Sequence, residues 1–160
     1  MDIKKYQDLY ERADNLPKKI EGVTAYGCGC SQEGEIAAVA VDVLMDFYDW
    51  IAENYEDNNT PDWAEAYIQL YSWQFQCFHE GIFTYYENFY EHTGKENTLK
   101  AVAYLQEIGF QELADVMKKG LTDDSLEGIT EWIDSHDELI YTAYLKIIEQ
   151  SKIVTVQPVD

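Results

Sequence analysis

Three cysteines and three histidines are the residues in this chain best suited to metal or nucleophile chemistry. Cys28-Gly-Cys30 places two thiols in a glycine-rich stretch, and Cys77 with His79 would complete a four-ligand zinc site. The same residues offer a thiol nucleophile and an imidazole base, but nothing local supplies the third, orienting group. The plain alternative is small residues in a turn and a buried thiol at Cys77. A helical di-iron site needs a Glu three residues before each His, and Gln76, Phe89 and Ile133 stand there instead. His79-Glu80 begins like a zincin helix whose second His is missing. "DDSLE" and "EDNN" lack the alternating oxygen ligands and fixed Gly of a calcium loop. There is no Gly-rich phosphate loop. The expectation is a chain without catalytic residues, metal or cofactor, whose distinctive groups are carboxylates.

Thirty-one acids stand against eleven bases, a net charge of −20. Residues 1–19 sum to +1, residues 20–94 to −14 and residues 95–160 to −7. Between Ile20 and Gly94 there is no Lys or Arg at all. Within that stretch Asp42, Asp46, Asp49 and Glu53 are spaced by 4, 3 and 4, one line along a helix, and Glu56 and Asp57 continue it. At about 1.5 Å rise per residue the first four span roughly 16 Å. Asp123, Glu127, Glu131, Asp134 and Glu138, spaced 4, 4, 3 and 4, form a second line. Like charges at such spacings cost a helix a few tenths of a kcal/mol per pair, and solvated faces usually mix signs. Carboxylates in rows of this reach resemble a phosphate backbone, which marks Asp42, Asp46, Asp49, Glu53, Glu56, Asp57, Glu127, Glu131, Asp134 and Glu138 as candidate contacts for a basic protein. The acidic balance disfavours direct binding to nucleic acid or to an anionic membrane.

The elements that would carry these rows are helical. Apolar residues make up 46% of the chain and include thirteen Tyr, so a folded, aromatic core is expected, with many Tyr hydroxyls near the surface. Ile3, Tyr6, Tyr10 and Ala13 share one face of a first helix, and residues 20–32 have no helical period. A long helix is predicted from Glu33 to Tyr55. Its inward face would be Ile36/Ala37, Ala40/Val41, Leu44/Met45, Tyr48, Ile51/Ala52 and Tyr55. Thr60-Pro61 predicts an N-cap and first helical residue for an aromatic-rich helix reaching about His79. A short helix closed by Gly94 follows, then two helices stopped by Gly109 and Gly120. A last helix runs from about Asp124 to Gln150, with Leu126, Ile129, Ile133, Ile140, Tyr144 and Ile147/Ile148 inward. The sum is an all-α, compact bundle of six to seven helices in a single domain, residues 1–151, with residues 152–160 as an extended tail. No stretch is apolar for long enough to span a membrane. The first residues lack an apolar signal-peptide core, and three cysteines suit free thiols, so a cytoplasmic setting is expected.

The stretch from about Leu70 to Leu121 resembles a bacterial DNA-mimic protein domain family of small acidic helical proteins. The shared features are "EGIFTYYENF" (Glu80, Gly81, Phe83, Tyr86, Asn88), the polar turn "YEHTG", and the helices "TLKAVAYLQEIGFQELADVMKKGL". In the last of these Ala101, Leu105, Ile108-Gly109, Ala114 and Leu121 keep the family's rhythm. The resemblance implies an all-α fold, dimerisation, and binding of a DNA-binding protein through acidic surface. Its shared residues are of core and turn type, so it assigns no contact residue. Three other readings stand beside it: an immunity or phage-type inhibitor of a nuclease, a metal or enzyme site at Cys28, Cys30, Cys77 and His79, and a Tyr-rich helical domain that only dimerises.

Overall fold

The computed structural model describes residues 44–45, 47–55, 59–79, 85–86, 94–122, 126 and 128–152, with the backbone alone at 76–79, 94 and 137. The protein is all-α, and no strand occurs among the described residues. Six helices are described: α1 (44–54, with 46 outside the described set), α2 (Asp62–His79), α3 (Gly94–Glu107), α4 (Gln111–Lys119), α5 (Ile129–Ser135) and α6 (Asp137–Ser151). Two compact units divide the chain, Met1–Asn59 with Ile148–Asp160 and Thr60–Ile147. The predicted first helix, the 20–32 stretch, the start of the long acidic helix, most of 80–93 and residues 153–160 lie outside the described residues.

In the first unit α1 buries Leu44, Phe47, Trp50 and Ile51, while Met45 and Ala52 are exposed. The inward face is therefore turned from the predicted one. Two aromatics, Phe47 and Trp50, pack with ring centroids 6.0 Å apart. Burying them outweighs burying Met45 and Ala52, because burial scales with apolar area. Asn54 Nδ2 donates to the Trp50 carbonyl at 2.7 Å near the helix end.

In the second unit α2 packs against α3, and α3 against α4. Its start is shifted by one residue from the prediction: the Pro61 carbonyl accepts from Glu65 N–H at 3.0 Å, so Pro61 occupies the cap position and Asp62 is first in the helix. Asp62 and Glu65 then sit in the first turn, where the helix dipole favours them. Gly94 is the first residue of α3, and the close of the helix predicted before it lies outside the described residues. Gly109 ends α3 as expected. It has φ +95°, Phe110 N–H reaches the Leu105 carbonyl at 2.8 Å and Gly109 N–H reaches Gln106 at 3.1 Å, the paired bonds of a Schellman stop.

Gly120 also follows a helix end, but for another reason. Its backbone is right-handed (φ −63°), and a Cβ there would overlap the Tyr86 ring. Close packing, not left-handed backbone, selects glycine at 120.

The predicted last helix is two helices. Gly128, at φ +86°, caps α5, and the chain breaks again at His136. The Trp132 carbonyl is taken by His136 Nδ1 at 2.7 Å, and Ser135 Oγ lies 2.8 Å from the Glu131 carbonyl. His136 N–H turns instead to Ile133, at 3.2 Å. Local side-chain bonds to the backbone compete with the helical ladder, and here they interrupt it. Leu126, Ile129, Ile133, Ile140, Tyr144, Ile147 and Ile148 are nonetheless all buried, as their spacing requires.

Tyr48, Tyr55, Tyr71, Tyr104 and Tyr141 are half-buried, whereas Tyr67, Tyr85, Tyr86 and Tyr144 are buried. The second unit bonds several of them internally. Tyr85 donates to Gln69 Oε1 at 2.9 Å and so accepts from Thr98 Oγ1 at 2.8 Å, while Gln69 Nε2 reaches the Glu65 carboxylate at 2.8 Å. Tyr86 accepts from Trp73 Nε1 and donates to the Met117 carbonyl, both at 2.8 Å. Tyr144 donates to Gln74 Oε1 at 2.9 Å. Buried polar groups need such partners, because each one lost costs about 1–3 kcal/mol.

Candidate protein-interaction surface

On α1 the described acids are Asp49 and Glu53, both exposed and one helical turn apart. Their Cβ atoms are therefore about 5–6 Å from each other. Met45, 44% exposed, lies one turn before Asp49, and exposed Ala52 lies between the two acids in sequence. The face is thus carboxylate edged with apolar surface, not carboxylate throughout. Met45 and Ala52, predicted inward, lie outward instead, and the spacing 45, 49, 52 is the signal that they share a strip with Asp49. Asp42, Asp46, Glu56 and Asp57 lie outside the described residues.

On the second line Glu131 and Asp134 are exposed on α5, and Glu138 is exposed on α6. The single predicted ridge is corrected by the break at His136, which puts Glu138 on a different helix from the other two. Asp123 and Glu127 lie outside the described residues.

The break changes the electrostatics of these acids. Glu131 falls in the first turn of α5, and Glu138 is the second residue of α6. Both positions lie at helix amino ends, where carboxylates gain typically 0.3–1 kcal/mol. Glu53 is in the last turn of α1, the end that disfavours a negative charge. Among the described residues the side chains of Asp49, Glu53, Glu131 and Asp134 make no hydrogen bond or ion pair.

The negative field also acts on neighbouring hydroxyls. Partial burial raises the Tyr104 hydroxyl above its ordinary range, and the charges of Glu107 and Asp62 push it the same way. The buried Tyr85 and Tyr144 hydroxyls are raised well above theirs, foremost by loss of water; the Thr98 hydrogen bond opposes the shift at Tyr85 and the Glu65 charge adds to it.

The cysteine reading cannot be placed: Cys28, Cys30 and the side chains of Cys77 and His79 lie outside the described residues. Among the described residues no group of three or more His, Cys, Asp or Glu could hold a metal ion, and no helix is long and apolar enough to cross a membrane.

The motif residues Tyr86, Ala101, Leu105, Ala114 and Leu121 are buried, and Gly109 makes its turn. They build the interior and offer no contact surface. No protein-family model, curated protein or solved structure matches this chain.

Proposed function

We propose that this chain is a non-enzymatic, acidic DNA-mimic-like protein of the cytoplasm. It binds a basic DNA-binding protein and covers the surface that nucleic acid would use. The observation that carries the reading is the run from Ile20 to Gly94 without a single base, whose described helix α1 exposes Asp49 and Glu53. Glu53 sits at the unfavourable end of α1, and among the described residues neither acid pairs with a cation, so a basic partner would supply the counter-charge. Exposed Met45 and Ala52 add apolar contact, which a purely solvated face does not need.

Charge complementarity of this kind speeds encounter and weakens with salt. The chain itself binds neither nucleic acid nor membrane, and a homodimer would set two such faces side by side. A nuclease held by an immunity or phage-type inhibitor would be recognised by the same electrostatics, so the identity of the partner separates those readings.

The test is a charge-neutral variant, with Asn or Gln at Asp42, Asp46, Asp49, Glu53, Glu56, Asp57, Glu127, Glu131, Asp134 and Glu138. Affinity for the basic partner should collapse and its salt dependence flatten. Unchanged affinity and salt slope would overturn the proposal.

A further inference from the structure

The joint between α5 and α6 surrounds the His136 ring with acceptors. Nδ1 is 2.7 Å from the Trp132 carbonyl and 2.9 Å from Ser135 Oγ. Nε2 is 3.6 Å from Oε1 of Glu112, in the first turn of α4. The ring lies flat on the Trp132 indole, with centroids 4.2 Å apart and planes 9° apart.

A carbonyl only accepts, so Nδ1 carries a hydrogen. In the neutral ring Nε2 is then a lone pair facing a carboxylate oxygen, two acceptors opposed. A proton on Nε2 turns that contact into a charge-assisted pair and places a cation against the indole face. We infer that His136 is a proton-operated tie. Doubly protonated, it spans the Trp132 carbonyl and the Glu112 carboxylate and fastens α4 to the α5–α6 joint; neutral, it caps α5 alone.

Charges of both signs lie about the joint. Glu112 faces the ring from α4, and Glu131, Asp134 and Glu138 flank it in the chain. The carboxyl end of α5 also suits a cation, whereas the amino end of α4 and, farther along that helix, Lys118 and Lys119 oppose one. The ring is 34% exposed, so protons reach it from water. Because Glu131 and Asp134 precede the joint and Glu138 follows it, the tie would also set how these acids are presented; that consequence alone rests on the function proposed above.

Side-chain ¹H–¹⁵N NMR of the full chain without any partner tests the tie separately from that function, with His136→Gln assigning the ring signals. The neutral ring should be the Nδ1–H tautomer. On acidification Nε2 should gain its hydrogen while the amides of Glu112 and Leu113 shift in step. The exposed replacement Glu112→Gln should abolish the correlated shift and keep the Nδ1–H tautomer. An Nε2–H tautomer at high pH, or α4 amides that stay still or move equally in Glu112→Gln, would overturn the inference.

Discussion

The acids of α1 and those of α5 and α6 look alike in sequence and differ in their settings. Glu131 and Glu138 sit at helix amino ends created by Gly128 and by the break at His136. Their own backbone rewards their charge. Glu53 lies in the last turn of α1, where the backbone dipole works against it, and Asp49 lies one turn earlier, beyond the reach of that end. A row of carboxylates therefore says little until its helix ends are known. Local structure accounts in part for the second row, and at Glu53 it works against the first.

The largest expected effect lies in the interior of the unit that carries the second row. Gly120→Ala drives a methyl into the Tyr86 ring and should cost about 3 kcal/mol in a urea melt. An unchanged midpoint would mean that the ring is not pressed against Gly120. Tyr85→Phe leaves Gln69 and Thr98 without a shared partner and should cost about 1–3 kcal/mol without moving any surface charge. A loss that small would also separate stability from recognition, because the acids stay in place.

Alkaline pH probes the same interior without mutation. Burial raises the Tyr85 and Tyr144 hydroxyls above the ordinary tyrosine value of about 10. A raised folded-state pKa means stability that is whole below the unfolded value and is lost as pH climbs past it. An ultraviolet titration should thus show a set of tyrosines that ionise only as the helical circular dichroism collapses. Smooth ionisation of all thirteen with the helices intact would contradict the buried network.

The smallest effects compare the two rows directly and should differ in sign. Glu131→Gln should destabilise by about 0.3–1 kcal/mol through loss of a dipole contact, whereas Glu53→Gln should stabilise by a few tenths. Equal and same-signed changes would erase the distinction drawn between the rows.

Much of the fold was legible because its periodicity is strong. The aromatic crowding of α2, the stop at Gly109 and the inward set Ile129, Ile133, Ile140 and Tyr144 all follow from spacing and turn chemistry. The break at His136 did not show, since that apolar rhythm runs across it undisturbed and the cause is side-chain bonding to two carbonyls. On α1 two apolar stripes compete, and tertiary burial of Phe47 and Trp50 decides between them. The hydroxyl chains through Gln69, Gln74 and Thr98 join residues far apart in sequence, which no local pattern encodes. Of the candidate surface, the exposure of Asp49, Glu53, Glu131, Asp134 and Glu138 was legible, and its helix-end electrostatics were not.

The most direct measurement is capture of binding proteins from lysate of the chain's own source, at low and high salt, by the parent and by the variant with both rows neutralised. The expected result is a DNA-binding protein held by the parent alone, released by salt and displaced by added duplex DNA. Equal capture by both chains, or a captured protein that DNA leaves in place, would contradict it.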